Sequence, residues 1–382
     1  MQKPHMIGPL NILPNLYNKE GYKNKKIAIA LSGGIDSTAS AILLKKEGFD
    51  VIGLCMQLHD HSWGLPTSLK ACFGPLESER IKQTRLICQK LGIPLYVIDL
   101  REDFKRYVIG YFKNKYLSGK TPNPCVRCNF RIKFDLLQKR AEENGIQFDL
   151  FATGHHARVE RKGERYILKK GYDRSKDQSY FLYALKQEQL SRVQFPAGTH
   201  KKEELRKIVS SLGLGIENSR ESQDFISGRS YSILFDRREI REGPIVDKWG
   251  KRLGTHKGII HYTIGQRKGL GIASSRPLYV IEIDAESNTI VVGSKEDLMS
   301  EGLVVEDLNF IAIDSIDSPV RAKVKIRQQH KAAEATLYPI KKRIKVIFDK
   351  PQMAVTPGQS AVFYQKDVVL GGGIIESPIK GE

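Results

Sequence analysis

The sequence predicts an α/β protein: a doubly wound parallel sheet comes first, then a small β-rich central unit, then an all-β C-terminal part. Three observations carry this. From Lys26 to about Leu150, strand-like apolar runs alternate with amphipathic helix-like runs. After Gly213 the period shortens and turn residues multiply, as in Gly243-Pro244, Lys248-Trp249-Gly250 and Gly254-Thr255-His256-Lys257-Gly258. From Leu278 onward, short β-branched and aromatic runs follow one another without an intervening helix. A chain of 382 residues accommodates two or three domains. The expected boundaries are 26–215, 216–277 and 278–382, with residues 1–25 an N-terminal extension without an assigned role.

The first element is the apolar run Ile27-Ala28-Ile29-Ala30-Leu31, a buried strand. It breaks into Ser32-Gly33-Gly34-Ile35-Asp36-Ser37 and restarts as a helix from Thr38 to Glu47. Such a turn presents unpaired backbone N–H groups and the positive end of a helix dipole, a cradle for phosphate. Asp36 stands where a carboxylate can hold Mg²⁺ against those phosphates. Neither a Gly-Lys-Ser/Thr ending nor a G-x-G-x-x-G pattern is present, which excludes the two commonest nucleotide loops. Next come a strand over Asp50–Met56, a loop over Ser62–Leu76, a helix over Glu77–Leu91, a strand over Leu95–Leu100, a helix over Phe130–Asn144 and a strand over Leu150–Thr153. Ligands of doubly wound sheets bind beyond the carboxyl ends of the strands. The cradle, the segment after Met56 and Gly154-His155-His156 are therefore expected on one edge. A hairpin over Arg158–Lys170 and a helix over Lys202–Leu212 close the domain. The later strands are placed at Tyr279–Ile283, Thr289–Val292, Val320–Arg327, Ile344–Phe348, Ser360–Tyr364 and Val368–Leu370.

The net charge of +19 and pI near 9.6 suit a polyanionic partner. The cluster Lys341-Lys342-Arg343-Ile344-Lys345 is a candidate phosphate-contact patch. No apolar run reaches the eighteen or so residues of a membrane span, and Pro4, Pro9 and Pro14 interrupt any signal-peptide core. Five cysteines are too few and odd in number for a disulfide scaffold, so a reducing cytoplasm is expected.

A second informative segment is Gly119-Lys120-Thr121-Pro122-Asn123-Pro124-Cys125-Val126-Arg127-Cys128-Asn129. Its prolines stiffen an extended approach to a C-x-x-C placed just before a helix. A thiol near a helix N-terminus is acidified, which makes Cys128 and Cys125 candidate nucleophiles. A C-x-x-C alone is equally compatible with a redox pair, half a zinc site or part of an iron–sulfur site.

The cradle resembles the PP-loop of ATP pyrophosphatases. Taken together with Thr121–Asn129, Ala152–Arg158, Lys176–Leu182, Glu221–Asp224, Tyr262–Gly271, Ala354–Gln359 and Leu370–Ile375, the chain resembles the tRNA-specific 2-thiouridylases. The resemblance implies a PP-loop domain followed by a small central domain and a C-terminal β-barrel that grips tRNA. It implies that the 2-carbonyl oxygen of the wobble uridine in glutamate, glutamine and lysine tRNAs is adenylated and then replaced by sulfur, with ATP and Mg²⁺ as cofactors. The implied ATP site is Ala30, Leu31, Ser32, Gly33, Gly34, Ile35, Asp36 and Ser37, with Met56 and Gly154 against the adenine or ribose. Asn123, Pro124 and Cys125 would meet the target base. Lys176, Asp177, Gln178, Arg327 and Gln328 would contact tRNA, with His155 and Gln359 nearby. A base that must leave its stack needs a deep pocket, to which Pro122 and Pro124 are candidate walls.

In one respect the chain departs from that pattern. The second cysteine usual after Ser222-Gln223-Asp224 is replaced by Ile226, which carries no persulfide. Either Cys125 replaces it, cycling between persulfide and disulfide with Cys128, or Cys125, Cys128 and Cys72 hold an iron–sulfur cluster; structural zinc is a third reading. Cys72 falls in the loop Ser62–Leu76 on the expected active edge, whereas Cys55 and Cys88 are expected in the core. The resemblance implies a cysteine desulfurase acting through a relay protein as sulfur donor, whereas an open-iron cluster fits free sulfide better. Two other functions remain open: a PP-loop ligase or amidotransferase acting on a small molecule, and a tRNA-binding homologue that has lost catalysis.

Overall fold

At the centre of the first domain is a five-stranded sheet whose middle strand is the apolar run before the cradle. The structure, a computed structural model, describes residues 25–65, 72–216, 225–226 and 230–381. Strands β1 (Lys26–Ala30), β2 (Asp50–Gln57), β3 (Leu95–Asp99), β4 (Leu150–Thr153) and a short edge strand (Val193–Gln194) run parallel, with β1 between β2 and β4 and β3 outside β2.

Both faces are covered, as alternating apolar side chains require. Ile27, Ile29 and Val51 pack on one side with Leu44 and Cys88, from helices α1 (Ile35–Lys46) and α2 (Glu77–Leu91). Ala28, Ile52 and Leu54 pack on the other with Phe104, Val108 and Ile132. Those residues come from two helical rods, one over Arg101–Phe104, Lys105–Ile109 and Gly110–Leu117, the other over Pro124–Cys128, Asn129–Leu136 and Leu137–Glu143. Each rod contains a stretch of wide π-type turns, Lys105–Ile109 in the first and Asn129–Leu136, directly after Cys128, in the second. Helix α3 (Lys202–Ser210) lies on α1, burying Leu205 and Val209 against Ile35 and Ile42.

The central unit is a four-stranded sheet of Gly243–Asp247, Arg252–His256, Tyr279–Asp284 and Thr289–Gly293. This differs from the expected boundary at 277/278, which gave the last two strands to the C-terminal part. Val280, Ile290 and Val292 share a core with Ile245 and Ile259, apart from the barrel interior. Strand pattern alone does not say which sheet a strand joins. The barrel has six strands, Met299–Phe310, Arg343–Met353, Ala333–Ile340, Val320–Lys325, Ser360–Gln365 and Val368–Ile379 in spatial order, and closes by pairing the first with the last. The hairpin Ala157–Lys162/Arg165–Lys170 joins it through Lys169 opposite Val368.

Candidate active site

The cradle is built by two close approaches. Gly33 adopts φ +75°, which favours glycine, and a Cβ there would stand 3.1 Å from Thr84 Oγ1 on α2. Gly34 is the N-cap of α1, with no side chain capping the helix, and its carbonyl accepts from Thr38 N–H at 3.1 Å. The Ser37 hydroxyl donates to Gly34 O at 3.1 Å and accepts from Ser32 N–H at 3.3 Å, folding the loop onto itself. Gly154 ends β4 so near this turn that a Cβ on it would fall 2.5 Å from Ser37 N. Leu31 and Ile35 point into the core, so only their backbone faces the cradle, while Ala30 and Met56 are half-buried at the same strand ends.

Asp36 is the charged centre of the cradle. Its Oδ1 accepts from Lys202 Nζ at 2.7 Å and meets His156 Nε2 at 3.1 Å. Burial raises its pKa, but the hydrogen bonds and charges of His156 and Lys202 outweigh burial and hold the carboxyl below its ordinary value. Sequence reasoning missed both partners. Lys202 carried one signal, a lysine in the first turn of a helix, where the dipole disfavours a cation. His155, the expected member of the pair, sits between the rings of Phe134 and Phe195, with Nδ1 2.7 Å from Thr153 Oγ1. Burial, then Lys133, push its pKa well below the usual histidine value, so it is neutral.

The C-x-x-C loop is held from three sides. Asn123 caps the following helix by accepting from Val126 N–H at 3.2 Å, with Pro124 in the first turn. Thr121 donates its N–H to Pro357 O at 2.9 Å and shares a 2.7 Å hydroxyl bond with Thr263 of the central unit. Gln359 Nε2 donates to both Thr121 O and Pro122 O, at 3.1 and 3.0 Å. Cys128 is the last residue of the segment Pro124–Cys128, not its first, and the expected acidification fails there. Burial pushes its thiol up, against the lowering pull of Lys133. Lys133 thus acts electrostatically on both Cys128 and His155, linking the thiol loop to the strand end beside the cradle.

Burial also pushes Cys72 up, and its next largest influences are Cys128 and Cys125, so the three thiols are electrostatic neighbours. Cys72 N–H donates to Phe225 O at 3.4 Å, which sets Cys72 beside Ile226, where the family pattern has its second cysteine. Among the described residues, no three His, Cys, Asp or Glu side chains are grouped closely enough to hold a metal ion. Cys55 and Cys88 are buried in the sheet and α2, pushed up to about 11 and about 12.

Two of the expected tRNA segments, Lys176–Gln178 and Arg327–Gln328, meet each other. Gln178 Oε1 accepts from His156 N–H at 2.9 Å, and Gln328 Nε2 donates to Asp177 O at 2.7 Å. The Asp177 carboxylate is buried and turned inward, accepting from Gly171 N–H, Ser179 N–H and the Ser179 hydroxyl. Arg327 Nη2 donates to Met353 O at 2.9 Å, and Lys176 is half-buried on the same loop. The Lys341–Lys345 cluster straddles the turn between two barrel strands, with Ile344 inside and Arg343 paired to Glu376 at 2.7 Å. Residues 221–224 lie outside the described residues, as do residues 66–71 directly before Cys72.

A phosphate-type loop in a doubly wound domain, joined to a small β unit and a closed barrel, defines a multidomain α/β protein of the nucleotide-binding class. The family models agree: residues 25–227 match the tRNA methyl transferase HUP domain, 232–294 the tRNA methyl transferase PRC-barrel domain and 300–375 the aminomethyltransferase β-barrel domain. A tRNA-specific 2-thiouridylase of Thermoanaerobacter sp. (strain X514) is 48% identical over 94% of this chain and 99% of its own length. Those of Clostridioides difficile (strain 630) and Acetivibrio thermocellus are each 43% identical, over 94% and 92% of this chain and 100% and 99% of their own lengths. The chain belongs to the tRNA-specific 2-thiouridylase family.

Proposed function

We propose that the protein is an ATP-dependent sulfurtransferase that converts the wobble uridine of lysine, glutamate and glutamine tRNAs to 2-thiouridine. The observation that carries this reading is the link between cradle and thiol loop: His156 meets Asp36, and the adjacent His155 packs on Phe134 of the rod that begins with Cys125 and Cys128. The uridine 2-oxygen attacks the α-phosphorus of ATP and pyrophosphate leaves; sulfur then attacks C2 and AMP leaves with the oxygen. Residues 30–37 would bind the phosphates through backbone N–H groups, with Met56 and Gly154 bounding the nucleoside. Both bonds from His156 and Lys202 fall on Asp36 Oδ1, and the carboxylate would be the residue that holds Mg²⁺.

Asn123 and Pro124 set the wall against which the extruded base would lie, and Gln359 fixes that wall in place. The loops bearing Lys176–Gln178 and Arg327–Gln328 would meet the RNA. In the thiol route sulfur reaches Cys128 by exchange from the persulfide of a desulfurase relay, whose own thiol leaves; free sulfide serves the cluster route. In the protein-thiol route, the terminal sulfur of a Cys128 persulfide bonds to C2, and the Cys125 thiolate then attacks Cys128 Sγ. The two cysteines end as a disulfide, the thiouridine leaves, and a reductant restores the pair. The place of Cys72 beside Ile226 favours a second route, in which Cys72, Cys125 and Cys128 would ligate an iron–sulfur cluster able to carry the transferred sulfide. The three thiols fit that group in kind, and binding would require them to close together.

Among the described residues no helix is long and apolar enough to cross a membrane, and action in the cytoplasm is proposed. Incubation with ATP, anticodon-stem tRNA and, in parallel, either sulfide or a cysteine desulfurase with cysteine, followed by nucleoside mass spectrometry, is the test. 2-Thiouridine supports the reading; unmodified tRNA from the iron-replete, anaerobic protein overturns it and leaves a small-molecule ligase or a binding homologue. Iron and sulfide analysis separates the sulfur routes: a protein without iron that still thiolates removes the cluster. If Cys72→Ser leaves cluster loading unchanged, Cys72 is not a ligand.

A further inference from the structure

A second cationic site lies in a cavity of about 570 Å³ between the hairpin, the loop 171–178 and the barrel. Its cations are Lys170, Arg174, Lys325 and Lys366, and its anions are Asp177 and Asp367. Both anions are already engaged. Asp177 accepts the three bonds from Gly171 and Ser179, and Asp367 takes Arg158 at 2.8 Å, with Lys169 and Arg174 at 3.7 Å each.

Lys170, Lys325 and Lys366 form no ion pair among the described residues. Lys170 and Lys325 rest only on aromatic faces, 4.3 Å from the Tyr364 centroid and 5.7 Å from that of Tyr180. Burial lowers the pKa of both, and the charge of Asp177, next in size, offsets it only in part. His330 completes the wall. Its Nε2 donates to Gln352 Oε1 at 3.0 Å, while its Nδ1 is buried without a partner. With four cations to two carboxylates, both already hydrogen-bonded or ion-paired within the protein, the partly buried ammonium groups are stabilised further by an anion that completes the site.

We propose that this cavity is a phosphate subsite, and that its ligand is a backbone phosphodiester of the RNA substrate. The assignment to RNA rests on the proposed tRNA reading. It is favoured by position: the loop 171–178 that walls the cavity ends at Gln178, which bonds His156, which in turn bonds Asp36 of the cradle. An RNA strand entering the active edge would pass over this loop. Gln328 draws the barrel onto the same loop through Asp177 O, so both domains face the strand.

The test uses the full chain and transcribed tRNA, with affinity measured by anisotropy between 50 and 300 mM KCl. Lys325→Gln and the exposed Lys366→Gln are each expected to weaken binding about 5- to 20-fold at 100 mM salt. Each should flatten the plot of log affinity against log salt by about 0.7 to 0.9, the share of one phosphate contact, with ATP affinity unchanged. Unchanged affinity and slope in both variants overturn the subsite, as does weakening without a change in slope. ³¹P line broadening of inorganic phosphate by the wild type but not by Lys325→Gln, with tRNA binding unaltered, would identify a free-anion site and overturn the RNA assignment. If the wild-type protein neither thiolates tRNA nor binds it in a salt-dependent way, the functional reading itself fails, whatever the variants do.

Discussion

Asp36 has two buried partners, His156 and Lys202, and their different chemistry and reach suggest how to separate their effects. Lys202 is buried and arrives from a helix 166 residues away in sequence, so its ammonium orients the carboxylate at the cost of its own hydration. Lys202→Met should leave Asp36 half-held by His156 and weaken ATP binding by about tenfold, read by nucleotide titration. The pH dependence has a definite sign. Because the folded-state pKa of Asp36 is depressed, its ion pair stabilises the protein above the ordinary carboxylate pKa of 3.8, and that contribution is lost as pH falls through the lower folded value. In Lys202→Met the burial effect that raises Asp36 is less opposed, so circular dichroism should show acid unfolding beginning at a higher pH. An unchanged acid limb would show that Lys202 does not hold the carboxylate. The thiols behave in the opposite sense. Burial pushes Cys128 up, so at pH 7.5 it is protonated, and iodoacetamide should alkylate it more slowly than free cysteine, the rate climbing through the alkaline range. Peptide mass spectrometry at timed intervals reads this, and faster labelling than free cysteine would contradict it.

At the scale of elements, the thiol loop is the piece whose position depends most on its neighbours. Gly358 has φ +90°, and a Cβ there would meet Thr121 O at 2.9 Å and Lys120 Cβ at 3.0 Å. Gly119 has φ +70° and lies as close to Ile283 O, at 2.9 Å. Gln359→Ala removes the donor to two loop carbonyls, about 1 kcal/mol for each bond, and Gly358→Ala pushes the loop outright. Both are expected to lower thiolation at least tenfold while leaving ATP affinity within twofold, since neither touches the cradle. Equal losses in both measurements would mean that the loop and the cradle are one unit. Much of this architecture was legible in the residues. The strand–Gly-Gly–helix turn announced the cradle, and the alternation of Ile27, Ala28 and Ile29 between two cores is what a doubly wound sheet requires. The rod beginning at Arg101 was not read from the sequence, although Phe104, Val108, Phe112 and Tyr116 recur every four residues. A spacing above 3.6 matches the wide turn over Lys105–Ile109, and it was the departure from the usual period that hid the helix. Lys202 and Thr263 were not legible as site residues, because no local pattern encodes a contact made across 166 or 142 residues.

Over the whole molecule, the question is whether the barrel is a separate body or part of the catalytic domain. Its strand Ser360–Gln365 answers residue by residue. Ala361 and Phe363 point into the barrel core, while Val362 and Tyr364 belong to the core of the first domain, together with Ile311 and Val369. A run apolar on both faces, Ala361-Val362-Phe363-Tyr364, is the sequence mark of a strand buried on both sides. The docked face also carries polar order, for the Tyr180 hydroxyl donates to Ser360 O at 2.9 Å and Asn309 Nδ2 donates to Tyr183 O at 2.7 Å. The barrel and the first domain should therefore melt together, in one calorimetric transition. Val362→Asp places an unpaired carboxylate in that shared core, a change that costs several kcal/mol, yet it leaves the inward-facing Ala361 and Phe363 untouched. Two transitions are then expected, with the barrel retaining its own midpoint and the first domain falling several degrees. A single transition shifted as a whole would mean that the barrel has no stability of its own and that its interior, not its outer face, is set by the catalytic domain.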